Sequence, residues 1–310
     1  MLSIVIDDGD YYWRHTQLQC RRLYHNIVSI LVEMNLVARG KIVDLCYFAD
    51  PVNAGDFYNI DYLKFFIKKF NYAALPYLKR QGDMMFCGSL IHAVPEDGIC
   101  CGLGLIKSNI LPNRPLKHVI SVRGPLTIYH CMPMLPNKKI LMGDPGVLAG
   151  DVFVGELKNV TTNGETIGVI PHYSDKAHAW KIKSRDHPIR IIDIQRPPLD
   201  VLSDIKQCCH VYSSSLHGII FAHALNIPAT WVEFSSEVIG DGFKFYDYYL
   251  SLGVNISEVA RHRISDVIDV SVLHNSQALP KTEKIKDDVL YSLSCLADFL
   301  SRSDLSAEKN

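Results

Sequence analysis

Six stretches of the chain hold side chains able to bind an anion or move a proton. They are Asn53-Ala-Gly-Asp56, Arg123, Asp144, His172, Ser213-Ser-Ser-Leu-His-Gly218 and Lys244. The serine-rich stretch has the clearest grammar. Ser213, Ser214 and Ser215 are N-cap formers in a row; Leu216, Ile219, Ile220 and Ala224 then keep helical spacing until Pro228. A helix that starts just after a strand presents unpaired N–H groups and the positive end of its dipole, a ready anion site. His217 and Gly218 fall in the first turn. There the imidazole, with an ordinary pKa of about 6.5, suits acid–base work, and the glycine would let a ligand approach the backbone. The plainer reading is a capped helix whose histidine packs. Plainer readings stand beside the others too: Arg123 as a surface-turn partner, Asp144 as a turn former before Pro145, Asn53 and Asp56 as loop fixers, and Lys244 with Asp247 as a helix-start pair.

These stretches sit in a chain where strands and helices alternate. Apolar runs read as strands at Lys41–Phe48, Asp83–Cys87, Gly98–Leu103, His118–Val122, Lys139–Met142, Thr166–Ile170, Ile189–Asp193, His210–Tyr212 and Ala229–Phe234. Amphipathic helices are expected at Phe57–Phe70, Pro198–Cys209 and Glu283–Leu300, and a further one near Gln17–Val37. Pro125 suits the first turn of a helix after Arg123. Such alternation specifies α/β architecture with parallel sheets covered on both faces. The polar stretch Lys158–Glu165 divides the chain into two Rossmann-like domains, 1–155 and 156–280. A helix over 281–303 packs back on the first domain, and 304–310 forms a polar tail. Residues 1–40 form an extension whose role stays open. Each chemical stretch except Lys244 lies at the carboxyl end of a strand, where open α/β sheets bind ligands.

The 310 residues are 48% hydrophobic and 21% charged, with a net charge of −1. That balance gives no support for a nucleic-acid or membrane-surface partner. No stretch reads as a signal peptide or a transmembrane segment. The nine cysteines include the pairs Cys100–Cys101 and Cys208–Cys209. Without Cys-x-x-Cys or zinc spacing they read as buried thiols of a reducing cytoplasm, with no metal expected. A P-loop, a dinucleotide fingerprint and a Gly-x-Ser-x-Gly elbow are all missing, which sets aside nucleotide hydrolysis, nicotinamide chemistry and serine hydrolysis. What remains is a histidine-bearing cationic cleft suited to a small phosphorylated anion.

In order along the chain, Asn53-Ala-Gly-Asp, Ser121-Val-Arg-Gly-Pro-Leu-Thr, Gly143-Asp-Pro, Ile170-Pro-His-Tyr, Ser214-Ser-Leu-His-Gly and Lys244-Phe-Tyr-Asp-Tyr-Tyr resemble the polysaccharide pyruvyl transferase family. The resemblance runs from about residue 41 to 255. It implies a GT-B-like pair of domains with an interdomain cleft. It also implies transfer of a pyruvyl group from phosphoenolpyruvate to a sugar, forming a cyclic ketal and releasing phosphate, with no cofactor. The implied acceptor is a saccharide, lipid-linked, nucleotide-linked or a plain oligosaccharide, in cytoplasmic assembly of a surface polysaccharide. The sites expected are His217 as acid–base group with His172 as second choice, and Arg123, Ser214, Ser215, Gly218, Lys244, Asn53, Asp56 and Asp144 around the substrates. On this reading Arg123→Ala weakens phosphoenolpyruvate binding and leaves the fold intact. Two other functions share the features: a nucleotide-sugar glycosyltransferase of GT-B type, and a non-enzymatic glycan-binding protein.

Overall fold

The computed structural model describes Leu45 and residues 53–70, 84–161, 164–273 and 279–305. The expected strand at 2–6, the helix near 17–37, most of the strand at 41–48 and the last residues of the tail lie outside them. Two parallel sheets carry the fold. The first has β1 (Met84–Met85), β2 (Ile99–Leu103), β3 (His118–Val122) and β4 (Leu141–Met142), side by side in chain order. Leu45 extends it by a parallel bridge to Met84. The second sheet uses β5 (Thr166–Ile170), β7 (Ile189–Ile191), β8 (Cys208–Ser213), β9 (Ala229–Glu233) and β10 (Arg261–Arg263), in the order β10-β9-β8-β5-β7. A two-stranded ribbon pairs β6 (Ile182–Lys183) with β11 (Ile268–Asp269). The mixed α/β class with parallel sheets is as the alternation requires.

The order of the second sheet locates its crevice. From β5 the chain goes first to β7 on one side and then crosses to β8 on the other. Loops that leave neighbouring strands in opposite directions open a gap at their carboxyl ends. Here those loops begin at Pro171 and Ser214, so the gap carries His172 and the serine–histidine stretch. The first sheet has no such reversal.

Helices cover the sheets. Helix α1 (Ala54–Lys69) buries Tyr58, Tyr62, Leu63, Phe66 and Ile67 on one face, the 3- and 4-residue spacing of an amphipathic helix. It begins three residues before the expected Phe57. Asn53 supplies the reason: its Oδ1 accepts the Gly55 N–H at 2.9 Å, so the supposed loop is the capped first turn. Helix α2 (Pro125–Cys131) starts on its proline, and α3 (Pro198–Lys206) does likewise. Helix α4 (Leu216–Ala224) follows β8, and α5 (Phe243–Ser251) follows the 234–242 loop. The last helix, α6 (Glu283–Leu305), lies on the first sheet: Phe299 meets the His118 ring at 5.1 Å between centroids.

One apolar core runs through both halves of the chain. It joins Tyr58, Phe66 and Phe153 to Ile170, Val211, Ile220 and Phe221, and on to Leu293 and Leu300. The seam is tight: a Cβ on Gly146 would sit 2.8 Å from the Ile220 side chain. A shared apolar core of this kind packs the two halves against each other. Among the described residues Cys87, Cys100, Cys101, Cys131 and Cys208 are buried free thiols.

Candidate active site

A cavity of about 460 Å³ lies where loops from both sheets meet. The first sheet contributes Ser89 and Leu90 after β1, and Ile106 after β2; α1 contributes Asn53 and Asp56 from its start. The second sheet contributes His172 and Tyr173 after β5, Ser215–His217 after β8, and Ile239; α5 adds Lys244 from its first turn. Apolar side chains such as Leu90, Ile106, Ile110 and Leu216 supply much of its surface, and polar side chains converge on it from both sheets, the usual build of a small-molecule site.

The charged groups are held apart from water. Burial pushes the Lys244 ammonium down to about 8, with Arg123 acting the same way and Asp56 and Asp175 opposing. Burial pushes His217 down to about 3, helped by the positive charges of Lys244 and Arg123. His172 is pushed down to about 3 as well, by burial, then Lys244 and His217. At neutral pH both imidazoles are therefore uncharged in the empty site. Asp56 goes the other way: burial lifts its carboxyl to about 7 against the pull of Lys244. The site thus pairs a carboxyl that titrates near neutral pH with two neutral imidazoles and a cation.

Each of these groups is fixed from behind. The His172 backbone N–H donates to Ser214 Oγ at 2.8 Å, and its Nδ1 lies 2.8 Å from Ser174 Oγ. His217 packs on the first turn of α1, and its Nε2 is buried without a partner. Helix α4 opens at Ser215 with no side-chain cap. Ser215, Leu216 and His217 of its first turn line the cavity, and an uncapped helix start has capacity for an anion.

Comparison with known proteins gives the family. Residues 110–236 match the profile of the family described as polysaccharide pyruvyl transferase. The uncharacterized protein L143 of Acanthamoeba polyphaga mimivirus is 32% identical over 240 residues, 74% of this chain and 81% of that protein. The succinoglycan biosynthesis protein ExoV of Rhizobium meliloti is 31% identical over 137 residues, 43% of this chain and 40% of ExoV. This chain belongs to the polysaccharide pyruvyl transferase family.

The cavity draws together six of the ten residues singled out in the sequence: His217, His172, Lys244, Asn53, Asp56 and Ser215. Four others stand behind its wall. Arg123 is 1% exposed; its Nε donates to Asp247 Oδ2 at 3.0 Å and its Nη1 to Ser89 Oγ at 2.9 Å. It reaches the cavity only through Ser89. Asp144 caps the turn at Pro145–Leu148, its Oδ1 accepting the Gly146 N–H at 2.9 Å. Ser214 spends its hydroxyl on His172. Gly218 faces away from the cavity: a Cβ there would fall 2.4 Å from Ser213 Oγ and 3.0 Å from Ile170, so the missing side chain admits a strand and not a ligand.

Several contributors were not singled out. Ser89, His92, Ile106 and Ile239 line the cavity from loops of no special pattern, and Tyr173 lines it from the Ile170-Pro-His-Tyr motif, of which only His172 was singled out. Asp247, read in sequence as a partner of Lys244, instead accepts from Arg123, from the Thr127 N–H at 3.0 Å and from Thr127 Oγ1 at 2.7 Å. It ties α5 to the start of α2. Asn59, fully buried on α1, accepts the N–H groups of Phe86 and Cys87 and donates to the Asp56 and Cys87 carbonyls. Its place on the buried face of an otherwise apolar stripe was the available signal, since a buried amide must find partners. Tyr248 and Tyr249 are core residues, with Tyr248 OH 3.1 Å from His223 Nδ1.

Proposed function

We propose that the chain moves a pyruvyl group from phosphoenolpyruvate onto two hydroxyls of a saccharide, releasing inorganic phosphate. The observation that carries this reading is the shared cavity with Lys244, two neutral imidazoles and the uncapped start of α4. Phosphoenolpyruvate brings a phosphate and a carboxylate, and both need fixed donors. Lys244 and the α4 N–H groups supply them in a water-poor setting, where charged hydrogen bonds contribute about 1.5–3 kcal/mol each. We read the two sheets as Rossmann-like domains meeting near residue 155 in a GT-B-like arrangement, with the cavity as the cleft between them.

The chemistry asks for three proton movements. A proton goes to the methylene carbon of phosphoenolpyruvate, which becomes the methyl group and leaves C2 electrophilic. One sugar hydroxyl adds to C2 and gives its proton to a base. Phosphate then leaves with the proton taken from the first hydroxyl, and the second hydroxyl closes the ring, its proton returning to the carboxylate that protonated the carbon. With its carboxyl lifted to about 7, Asp56 keeps its proton in mild acid and in part at neutral pH, and in that form serves as donor to the carbon. His217, neutral and with a free Nε2, takes the proton of the attacking hydroxyl. Its imidazolium then stabilises the departing phosphate. His172 and Arg123 act as positioning residues, through Ser214 and Ser89.

The test is phosphate release from phosphoenolpyruvate measured across a panel of acceptor glycosides. Phosphoenolpyruvate should raise Tm and a suitable acceptor should start turnover. Stabilisation by uridine diphosphate sugars with none from phosphoenolpyruvate would replace this reading by a glycosyltransferase.

A further inference from the structure

A second cavity, of about 590 Å³, adjoins the first and shares Ile239 with it. It opens at the carboxyl ends of β9 and β10 and is walled by the 233–241 loop. Its chemistry differs from that of the first. Arg261 Nε lies 2.8 Å from Glu233 Oε2, and Arg261 Nη2 lies 2.7 Å from Asp241 Oδ1. Arg263 Nε is 3.3 Å from the same Glu233 oxygen. The Arg261 guanidinium also rests over the Trp231 ring, 5.1 Å from its centroid. With Lys107 and Glu237, the lining carries three cations (Lys107, Arg261, Arg263) against three anions (Glu233, Glu237, Asp241).

A balanced lining gives no net attraction for phosphate or carboxylate. It does give carboxylate oxygens and guanidinium N–H groups side by side. A hydroxyl donates one hydrogen bond and accepts others, so neighbouring hydroxyls can satisfy both kinds of group at once. Val238, Ile239 and Ile264 offer apolar surface for the C–H face of a sugar ring. The loop turns at three successive left-handed residues, Gly240 at φ 107, Asp241 at φ 44 and Gly242 at φ 82, a conformation that glycine and aspartate adopt readily. Here it sets the Asp241 carboxylate on Arg261. A Cβ on Gly240 would lie 2.2 Å from the Ile106 carbonyl, so the loop is pinned to the rim of the first cavity.

We propose that this second cavity is the acceptor site, and that it takes an uncharged saccharide presenting two neighbouring hydroxyls. The assignment of a donor to the first cavity is the reading on which the word acceptor rests. Ile239, 57% exposed and common to both linings, is the contact across which the hydroxyl pair meets C2 of the donor.

Saturation-transfer NMR with uncharged methyl glycosides and oligosaccharides, run on the full chain, tests the site. Ser236→Trp fills the cavity from an exposed position, and Arg263→Ala removes a polar group that is 76% exposed. Both variants should bind the saccharide at least ~10-fold more weakly, about 1.4 kcal/mol, while the Tm gain from phosphoenolpyruvate stays as in the wild type. Unchanged saccharide binding in both variants overturns the proposal. So does a wild-type protein that binds none of the uncharged panel, or that prefers phosphorylated sugars. If phosphoenolpyruvate gives no Tm gain but the two variants still lose saccharide binding, the donor reading falls and the saccharide site stands.

Discussion

Gly55 and His217 occupy one another's space. A Cβ built on Gly55 would fall 1.9 Å from both Cγ and Nδ1 of the His217 ring. The first turn of α1 and the first turn of α4 can meet at this imidazole only because residue 55 has no side chain. The glycine of Asn53-Ala-Gly-Asp56 is thus a condition for the histidine of Ser-Leu-His-Gly, two motifs more than 150 residues apart in sequence. Gly55→Ala should displace the ring and lower kcat by ~10²-fold, the scale of a lost acid–base group. A double-mutant cycle checks the cause. In the His217→Ala background the added methyl finds room, so Gly55→Ala should cost much less stability than it does alone. Equal costs in both backgrounds would break the link.

His217→Gln should lose at least ~10²-fold in kcat while Tm stays within a few degrees. The imidazole is buried, yet its Nε2 has no partner to lose. A sharp fall in Tm with near-normal turnover per folded molecule would return His217 to a packing role.

Arg123 shows what the sequence could and could not say. Its position after a strand and before a helix was legible, as were the parallel sheets and the serine–histidine turn. All of these follow from local period and from residue types that start helices, although the structure shows no side-chain cap at Gly124 or Ser215. Its partner was not. Asp247 lies 124 residues away on α5, and no local pattern links the two. The same holds for Gly218: its first-turn position was readable, but which neighbour fills the missing Cβ depends on how closely α4 packs on β5. The start of α1 was misplaced because Asn53-Ala-Gly-Asp has the composition of a loop, and only the Asn53 cap turns it into a helix. Strand β10 went unread because Arg-His-Arg at a sheet edge carries no apolar run. Residues that bring chemistry to a strand end were visible; residues that hold them there were not.

Arg123→Ala accordingly should act on the fold. It leaves Asp247 fully buried with its cation gone, a loss of about 3–5 kcal/mol when one partner of a buried pair is removed. Urea unfolding should show the midpoint falling steeply, with the loss much reduced in Arg123→Met/Asp247→Asn. A single variant with wild-type stability and only a raised KM would make Arg123 a direct substrate ligand after all.

Stability should fall in mild acid because of the buried histidines. His172, His217 and His223 are each pushed down to about 3, in every case chiefly by burial. In the unfolded chain they take up protons below about 6.5, while the native forms stay neutral. Their stabilising effect is therefore complete above that pH and is lost as pH drops toward 3. Each proton taken up on unfolding adds a slope of about 1.4 kcal/mol per pH unit. Asp56 works in the opposite sense: lifted to about 7, it favours the fold below about 3.8 and loses that effect as pH rises to 7. His223 lies in the core against Tyr248, away from the cavity. His223→Gln should therefore flatten the fall in unfolding free energy between pH 6 and pH 4, roughly by one proton's slope. An unchanged slope would mean that His223 is protonated in the native protein.

The rate should carry a different signature, and it separates Asp56 from the histidines. With the Asp56 carboxyl near 7 and the Lys244 ammonium near 8, both needed in their protonated forms, kcat/KM declines above pH 7 and again above pH 8. His217 adds no limb between pH 5 and pH 7, since it is already neutral there. Phosphoenolpyruvate titrates as well, but its contribution cancels in the ratio of wild-type to variant kcat/KM at each pH. For Asp56→Asn that ratio should start near ~10² in mild acid and shrink above pH 7, as the wild type loses its own proton donor. The variant alone should keep only the limb near 8, left by Lys244. For His217→Gln the ratio should stay flat from pH 5 to pH 7. A ratio for His217→Gln that rises through pH 6.5 would give the histidine an ordinary pKa and overturn its neutral state in mild acid. A ratio for Asp56→Asn that stays level across pH 7 would remove the carboxyl from proton transfer and leave it a wall of the site.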